Sequence, residues 1–321
     1  MQDLSPVSSQ SCGPPGSFPA VGDYHLHLHP HDPYPGAPDP GEYPDGLIEA
    51  YVEAAAARGV TELGFSEHLY RCVEAAPILG RFWETDPTIP ASVAGATEAF
   101  VPAEQNLSLE SYVAAVLGAK ERGLPVLLGL EIDFFPENLD AVLDLIDPYP
   151  WDYLIGSVHW VGGWAVDSSA TQGEFERRGP EQAHDDYYRT LTALAGSGAV
   201  DVLGHVDLTK KYGYRLEAEP LHWYRRVAAA ASLSTTAVEI NTNGLRLPAS
   251  ELYPSPAFLA ECAAAEVDIV VGSDAHRPAD AGRGYGSAIE AATAAGYEHR
   301  VRFARRTRTK VPLIGSHDPN E

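Results

Sequence analysis

The chain contains 321 residues, of which 45% are hydrophobic, and is long enough to form one α/β barrel, a fold that takes about 250 residues. Its formal net charge of −23, from 45 acidic and 22 basic residues, argues against a nucleic-acid or anionic-membrane partner because both need a basic surface. The three cysteines, Cys12, Cys72 and Cys262, have no CxxC spacing, so the sequence indicates neither a disulfide framework nor a thiolate zinc site.

The two ends of the chain differ in composition from its centre. Residues 1–20 lack the cationic start and apolar run of a signal peptide, and their Ser, Pro and Gly content predicts a disordered tail. The polar residues 315–321 predict a second tail, which leaves residues 21–314 as a single barrel domain. No stretch approaches the roughly 20 apolar residues of a membrane span. The cysteine pattern fits a reducing compartment, so we expect a cytoplasmic protein.

Helices and strands alternate along this central region. Ala-rich residues 47–57 predict a helix that stops at Gly59, and a second helix is predicted over residues 108–122, between the N-cap Ser108 and Gly123. Apolar runs predict seven strands, namely the segment through His25 and residues 61–65, 125–132, 151–158, 201–204, 237–240 and 268–272. This βα order, with polar side chains at one edge, favours a distorted (β/α)7 TIM-like barrel over a doubly wound sheet.

Two segments interrupt the repeat. Residues 69–106 are rich in Pro, Ala and Thr, and residues 160–181 are rich in Gly and charged residues. We expect both to be long loops that roof a pocket at the carboxyl edge of the barrel and set substrate choice.

Two motifs place a pair of candidate metal ligands on one face of a strand. In His25-Leu26-His27 the two imidazoles share a face because side chains alternate with a period of two, and Asp274-Ala275-His276 repeats this arrangement at the seventh strand. The combination of imidazole and carboxylate suits Zn, Mn or Fe. Two such pairs in one barrel indicate a metal site rather than unrelated buried polar groups.

Further polar side chains end the other strands. Glu131 closes an apolar run in which an unpaired carboxylate would be costly, and its two oxygens can bridge two metals. A single histidine at a strand end is more often a hydrogen-bonded core residue. Together, however, these residues predict one cluster of His25, His27, Glu131 and Asp274, a second of Glu131, His159 and His205, and a remainder of His68 and His276 for a third.

The motifs resemble the stand-alone histidinol-phosphatase branch of the PHP (polymerase and histidinol phosphatase) superfamily. The resemblance covers about residues 21–296 and rests on motifs in the family's order, which are DYHLH, GFSEH, GLEIDFFP, IGSVHW, GHVDLTKKYG, EINTNGL and GSDAH. It implies a distorted seven-stranded barrel with a trinuclear divalent metal centre occupied by Zn, Fe or Mn. It also implies hydrolysis of L-histidinol phosphate to L-histidinol and phosphate in histidine biosynthesis.

The resemblance assigns the candidate ligands to three metals. The first takes His25, His27, Glu131 and Asp274, the second takes Glu131, His159 and His205, and the third takes His68, His276 and a residue after the first motif. For that last position the family has a His or Asp where this chain has Pro33. We expect His31 to complete the third site, with Asp32 and His29 as the alternatives, although an exposed position is the stronger expectation for His29.

By the same resemblance, Lys211 and Arg246 occupy phosphate-binding positions, where a cation neutralises phosphate oxygens. The alternative for both is a solvated surface role. Weaker candidates for lining the pocket are Arg71, Arg277, Trp160, Trp164 and Asp167. Four histidines without motif context are expected to be structural or exposed, namely His184, His222, His299 and His317.

The predicted chemistry is metal-assisted hydrolysis of a phosphomonoester by water, with Asp274 and His276 as candidate catalytic residues. No covalent nucleophile is indicated, because the chain has no Gly-x-Ser-x-Gly elbow, no Cys beside a His motif and no P-loop.

Three alternatives share part of the pattern. A PHP phosphoesterase acting on another small phosphomonoester or on phosphotyrosine would have the same metal ligands. An amidohydrolase also begins with His-x-His but typically has a modified Lys after its fourth strand, where this chain has His159. A non-catalytic metal-binding barrel is the third, although such a protein is expected to have lost ligands. Metal identity and oligomeric state stay open.

Overall fold

Seven parallel strands form the centre of the protein in this computed structural model, which describes residues 21–314. The tails predicted over residues 1–20 and 315–321, with Cys12 and His317, lie outside the described residues. The strands between residues 21 and 314 are β1 (Gly22–Leu26), β2 (Glu62–Phe65), β3 (Val126–Asp133), β4 (Tyr153–Ser157), β5 (Trp160–Val161), β6 (Trp164–Ala165), β7 (Val202–Leu203), β8 (Ala237–Asn241), β9 (Ile269–Gly272), β10 (His299–Ala304) and β11 (Thr307–Pro312).

The main sheet has the order β1-β2-β3-β4-β7-β8-β9, and every neighbouring pair is parallel. Its two edges meet just beyond β9, where the His27 amide donates to the Ala275 carbonyl (2.8 Å) and the Ala275 amide donates to the His25 carbonyl (3.3 Å). The sheet is therefore a nearly closed seven-stranded barrel, which confirms the predicted fold. Because all seven strands run the same way, their carboxyl ends share one face of the barrel.

Helices connect the strands of the barrel. Between residues 21 and 314 they are α1 (Leu47–Ala56), α2 (Ala76–Leu79), α3 (Ala91–Glu104), α4 (Leu109–Glu121), α5 (Leu139–Ile146), α6 (Gly173–Arg178), α7 (Pro180–Ser197), α8 (Leu221–Ser234), α9 (Pro256–Ala264) and α10 (Tyr285–Ala294). Within this range, none has both the length and the hydropathy needed to span a bilayer.

The two helices predicted in detail begin and end close to the expected residues. In α1, the buried Tyr51 ring meets Phe65 of β2 edge-on, with ring centroids 5.5 Å apart. At the start of α4, Ser108 Oγ accepts a hydrogen bond from the Ser111 amide (3.2 Å), as an N-cap does. The chain leaves α4 through Gly123, whose φ of +86° is a conformation that favours glycine.

The segments 69–106 and 160–181 are not the long loops that the sequence predicted. The first contains α2 and α3, and the second contains the β5–β6 hairpin, α6 and the start of α7. The proline content of the first segment favoured a loop, but Pro90 lies at the N-cap of α3, where no N–H is needed. The Ala-rich residues that follow it then form the helix. Residues of both segments, including Phe100 and Asp167, line a pocket above the barrel, as expected.

The amino end of the barrel is covered by the antiparallel β10–β11 hairpin, which no pattern in the sequence had indicated. Phe303 of this hairpin meets Tyr24 edge-on and stacks on Tyr153, with ring centroids 6.5 and 6.0 Å away. An ion pair between Arg302 and Glu62 ties the hairpin to β2. The hairpin therefore closes the end opposite the polar cluster.

Candidate metal centre

A cavity of about 300 Å³ opens at the carboxyl ends of the barrel strands. Six of the nine predicted metal ligands line it, namely His31, His68, His159, His205, Asp274 and His276. The other three, His25, His27 and Glu131, lie directly beneath and are 0% exposed. The structure thus brings together all nine residues, although their strands are spread over most of the chain.

The Glu131 carboxylate lies at the centre of the cluster, with a different set of imidazoles at each oxygen. Its Oε2 atom is 3.4 Å from His25 Nε2 and 3.6 Å from His27 Nε2. Its Oε1 atom is 3.1 Å from His205 Nε2 and 3.6 Å from His159 Nε2. This geometry suits a carboxylate that bridges two cations.

Asp274 completes the group on the Oε2 side. Its Oδ1 atom is 3.9 Å from His25 Nε2 and 3.6 Å from His27 Nε2. Its Oδ2 atom accepts a hydrogen bond from Asn243 Nδ2 (3.1 Å) and lies 3.5 Å from Asn241 Nδ2. One carboxylate oxygen therefore faces the imidazoles while the amides hold the other.

His31, His68 and His276 form a third group beside His27. The Nε2 atoms of His31 and His68 are 3.3 Å apart, and the His31 and His276 ring centroids are 5.3 Å apart. His68 and His276 both stack on His27, at centroid distances of 4.1 and 4.2 Å. Asp32, the alternative to His31, is exposed at the rim of the same cavity.

His29 is buried, so the exposure expected for it was wrong. Its Nδ1 atom lies 3.3 Å from Glu67 Oε2 and its Nε2 atom 3.1 Å from the Glu42 carbonyl. Glu67 Oε2 also accepts the backbone amides of Leu28 and His29 (3.2 Å each), which holds this segment against the barrel. The imidazole of His29 thus has a structural role outside the cluster.

Several ligand-type nitrogen atoms in the cluster are buried and make no hydrogen bond within the described residues, among them His25 Nε2, His27 Nε2 and His276 Nε2. Buried polar atoms without partners are costly and rare. The predicted ligands also form four groups of three residues. In each group, one ligand atom from each residue lies within 4.8 Å of the other two. The side chains therefore fit bound cations, whose coordination would satisfy these atoms.

A second layer of carboxylates orients the histidine rings. Glu239 Oε1 lies 2.8 Å from His25 Nδ1, and Asp133 Oδ1 lies 2.6 Å from His159 Nδ1. In α3, Glu104 Oε2 lies 3.0 Å from His31 Nδ1. When a carboxylate accepts the Nδ1 proton, the Nε2 lone pair faces the cluster and becomes the more basic ligand.

The sequence had not indicated these roles, although strand alternation carries part of the signal. Glu239 precedes Asn241 by two residues in β8, and Asp133 follows Glu131 by two residues in β3, so each pair shares a face of its strand. Glu104 has no comparable signal, because α3 had been predicted as loop.

The electrostatics of the cluster keep its carboxylates ionised. Burial alone would raise the pKa of Glu131, but His68, His25 and His159 hold it well below its ordinary value. Burial likewise acts against ionisation of Asp274, but His25, His276 and His27 hold its pKa well below the usual range. The centre therefore presents two anionic carboxylates among neutral or cationic imidazoles.

Two of the nine residues have a strained backbone. His205 has φ of +26° and Asp274 has φ of +52°, in a region that side chains other than glycine rarely adopt. Such residues cost about 1–3 kcal/mol each and cluster at functional sites, where surrounding structure enforces the geometry. This strain agrees with a site selected for ligand geometry.

Of the two predicted phosphate-binding cations, only Lys211 lines the cavity. Its Nζ atom pairs with Asp167 Oδ2 at 2.9 Å. Burial opposes ionisation of Asp167, but Lys211 and His159 lower its pKa to about 2, so the pair is charged. Arg246 instead donates to Asn243 Oδ1 (2.9 Å) and pairs with Asp280 (2.7 Å), and it does not line the cavity.

The weaker candidates divide in the same way. Trp160 and Asp167 line the cavity, but Trp164 is buried against Phe175. Arg71 is buried and contacts Glu104, and Arg277 pairs with Asp280. The histidines without motif context behave as expected within residues 21–314, since His184 is buried with Nδ1 2.8 Å from the Pro180 carbonyl, while His222 and His299 are exposed.

Together, the fold and the site define a seven-stranded α/β barrel with a buried His, Asp and Glu metal-binding centre at the carboxyl ends of its strands. The chain belongs to the PHP domain family, whose model matches residues 42–243. The family expected from the motifs is thereby confirmed.

Two curated relatives are similar in sequence. The probable histidinol-phosphatase of Deinococcus radiodurans is 35% identical over 185 residues, which cover 57% of this chain and 70% of the relative. The probable histidinol-phosphatase of Schizosaccharomyces pombe is 27% identical over 173 residues, which cover 50% of this chain and 56% of the relative.

A similar solved structure is histidinol phosphate phosphatase from Lactococcus lactis subsp. lactis, complexed with zinc, L-histidinol and phosphate. It superposes with a TM-score of 0.66 over 90% of this chain and 99% of that chain, at 21% identity. At this identity the likeness establishes the shared fold.

Proposed function

We propose that this protein is a histidinol-phosphatase, which hydrolyses L-histidinol phosphate to L-histidinol and phosphate in histidine biosynthesis. The cluster of eight buried or partly buried His, Asp and Glu residues at the cavity floor, with His31 beside them, carries this proposal. It occurs in a chain 35% identical to a probable histidinol-phosphatase, and a protein of the same fold binds zinc, L-histidinol and phosphate.

The nine residues would hold three divalent metals. We assign His25, His27, Glu131 and Asp274 to the first, Glu131, His159 and His205 to the second, and His31, His68 and His276 to the third. The ligand chemistry fits Zn, Mn or Fe. Bound there, the metals would supply Lewis-acid stabilisation of charge on the phosphoryl group.

Asp274 and His276 are the residues that we assign to the proton. Asn243 fixes Asp274 Oδ2, so the carboxylate is held in one orientation at the cavity floor. In the proposed reaction Asp274 takes the proton of the attacking water and returns it to the leaving alkoxide, beside His276. The buried thiols of Cys72 and Cys262 lie outside the cavity, which agrees with water rather than a thiolate as nucleophile.

Lys211 would bind a phosphate oxygen as a point charge. To do so its ammonium turns from Asp167 toward the cavity floor. Arg246 would support the phosphate side through its hydrogen bond to Asn243, whose amide in turn orients Asp274.

The test is phosphate release from L-histidinol phosphate beside a panel of small phosphomonoesters and a phosphotyrosyl peptide. The assays are run before and after chelation, and with Zn or Mn restored. A chelator-sensitive preference for L-histidinol phosphate is the expected result. Preference for another ester would assign a different substrate to the same chemistry. Inactivity of the metal-loaded protein on every ester would overturn the proposal.

A further inference from the structure

Tyr253 is a cavity-lining residue that none of the sequence motifs includes. Its side chain is 1% exposed, yet it contributes to the cavity wall together with His205, Lys211, Asn243 and Asp274. Its hydroxyl makes no hydrogen bond within residues 21–314. A buried phenol usually finds a partner, so this free hydroxyl needs an explanation.

The backbone of Tyr253 is clamped to the end of β8, next to the metal centre. The Asn241 amide donates to the Tyr253 carbonyl (2.6 Å), and the Tyr253 amide donates to the Asn241 carbonyl (3.0 Å). Asn241 in turn lies beside Glu239 and Asp274 through its side-chain amide. The position of Tyr253 is therefore tied to that of the centre.

The ring of Tyr253 packs against the backbone of Gly244 and lies close to the ammonium group of Lys210. A Cβ atom at Gly244 would lie 2.9 Å from Tyr253 Cε2 and Cζ, so the ring rests directly on the glycine. Lys210 Nζ lies 5.2 Å from the ring centroid and is itself held by Asp207 and Glu251. The ring has little freedom to turn its hydroxyl elsewhere.

The surroundings of the hydroxyl favour a donor role. Burial, with further repulsion from Asp207, Asp274 and Asp167, raises the pKa of Tyr253 above its ordinary value, so the phenol keeps its proton. Among the described residues that line the cavity and are not proposed metal ligands, Trp160 also has a buried donor without a partner, its Nε1 atom. Trp160, however, lies in the aromatic wall with Tyr70, whereas Tyr253 lies among carboxylates of the site.

We propose that Tyr253 is a substrate-binding residue whose hydroxyl donates a hydrogen bond to an oxygen of the phosphate group bound at the metal centre. This rests on the proposed function, because it requires a phosphorylated ligand in the cavity. A neutral donor that is already held in position favours binding of an anion, and its hydrogen bond would add to the electrostatic attraction of Lys211 for the phosphate.

Tyr253→Phe removes the hydroxyl and keeps the ring. The matched control is Tyr285→Phe, because Tyr285 also has a buried hydroxyl with no partner in the described part of the chain but lies in α10, outside the cavity. Binding of inorganic phosphate to metal-loaded protein is measured by calorimetry, beside metal content, unfolding temperature and kcat/KM on L-histidinol phosphate.

The expected result is that Tyr253→Phe weakens phosphate binding and lowers kcat/KM, each by roughly 10- to 100-fold, the range for a hydrogen bond to a charged group. Metal content and unfolding temperature stay unchanged, and Tyr285→Phe behaves as the unmodified protein. Unchanged phosphate affinity in Tyr253→Phe would overturn the inference while leaving the phosphatase proposal intact. Weakened phosphate binding in a protein that does not hydrolyse L-histidinol phosphate would support the inference and reject that substrate.

Discussion

Glu239 Oε1 lies 2.8 Å from His25 Nδ1, so the carboxylate holds the first histidine of the metal centre from behind. The other oxygen, Oε2, accepts the His205 amide (2.9 Å) and Asn241 Nδ2 (3.1 Å). Glu239 thus accepts hydrogen bonds from three elements that carry the centre, and both of its oxygens must be acceptors.

Glu239→Gln is expected to weaken metal binding by about 10- to 100-fold, the usual effect of losing a second-layer partner. A glutamine has one acceptor, so its NH2 group faces either His25 Nδ1 or the two donors at His205 and Asn241. The first orientation places the imidazole proton on Nε2, where the metal binds. Competition with a chromophoric zinc chelator measures the affinity.

The control for Glu239→Gln is Glu174→Gln, which removes a buried carboxylate in α6, away from the centre. Its metal affinity should equal that of the unmodified protein. If Glu239→Gln also binds metal with unchanged affinity, the contact between Glu239 and His25 does not affect metal binding by His25.

Gly272→Ala tests the space that Glu239 occupies. A Cβ atom at this position would lie 1.9 Å from Glu239 Oε1 and 2.6 Å from His25 Cβ, so the carboxylate must move. We expect a loss of about 1–3 kcal/mol in the free energy of unfolding, as for overpacked cores, together with reduced metal content.

Gly118→Ala in α4 is the matched substitution, because its Cβ atom would meet only Arg122 Nη1, at 3.7 Å. This partly exposed helical site should gain up to about 1 kcal/mol from the better helix propensity of alanine. Chemical denaturation of both variants measures the difference. A Gly272→Ala protein as stable as the unmodified chain would contradict the close approach of Glu239.

Asp274→Asn is expected to abolish turnover while preserving the fold. The amide keeps the hydrogen bond geometry near Asn243 but cannot offer an anionic oxygen to His25 and His27 or accept a proton. Activity should fall by roughly three orders of magnitude or more, corresponding to several kcal/mol of lost stabilisation. Normal hydrolysis in this variant, with an unchanged circular dichroism spectrum, would remove Asp274 from the ligand and catalytic assignments.

The ligand pairs could be predicted from sequence because their geometry is local. His25 and His27, like Asp274 and His276, share a face through strand alternation, and each pair follows a recognisable apolar run. Parallel strands then bring their carboxyl ends together without further information. This explains why the barrel and the clustering of all nine residues agreed with expectation.

The partners of those ligands depended on long-range packing, which no local pattern records. Glu104 reaches His31 only because residues 91–104 form a helix over the barrel, and His29 is buried only because Glu67 binds its ring and backbone. Arg246 was predicted from its position in the sequence to bind phosphate, but it pairs with Asp280 and does not line the cavity. Such side chains became predictable only once the tertiary contacts were known.

Glu174 provides a pH-dependent contribution to stability away from the centre. Its carboxylate is 2% exposed and accepts Arg177 Nε and Arg178 Nε, each at 2.7 Å. Burial alone would raise the pKa of Glu174, but these hydrogen bonds hold it below the ordinary value. Because the folded pKa is lower than the unfolded one, the stabilisation is present above the unfolded pKa of about 4.3 and is lost as pH falls through the folded value.

Glu174→Gln should therefore be less stable than the unmodified protein at pH 7, by about 1–3 kcal/mol. This gap should narrow as the pH falls below about 4.3, because protonation then removes the same contribution from Glu174 itself. Urea denaturation between pH 3 and pH 7 measures the gap, with Glu121→Gln, an exposed change at the end of α4, as the control without a gap. A gap that stays constant across this range would mean that the ion pairs with Arg177 and Arg178 do not depress the pKa of Glu174.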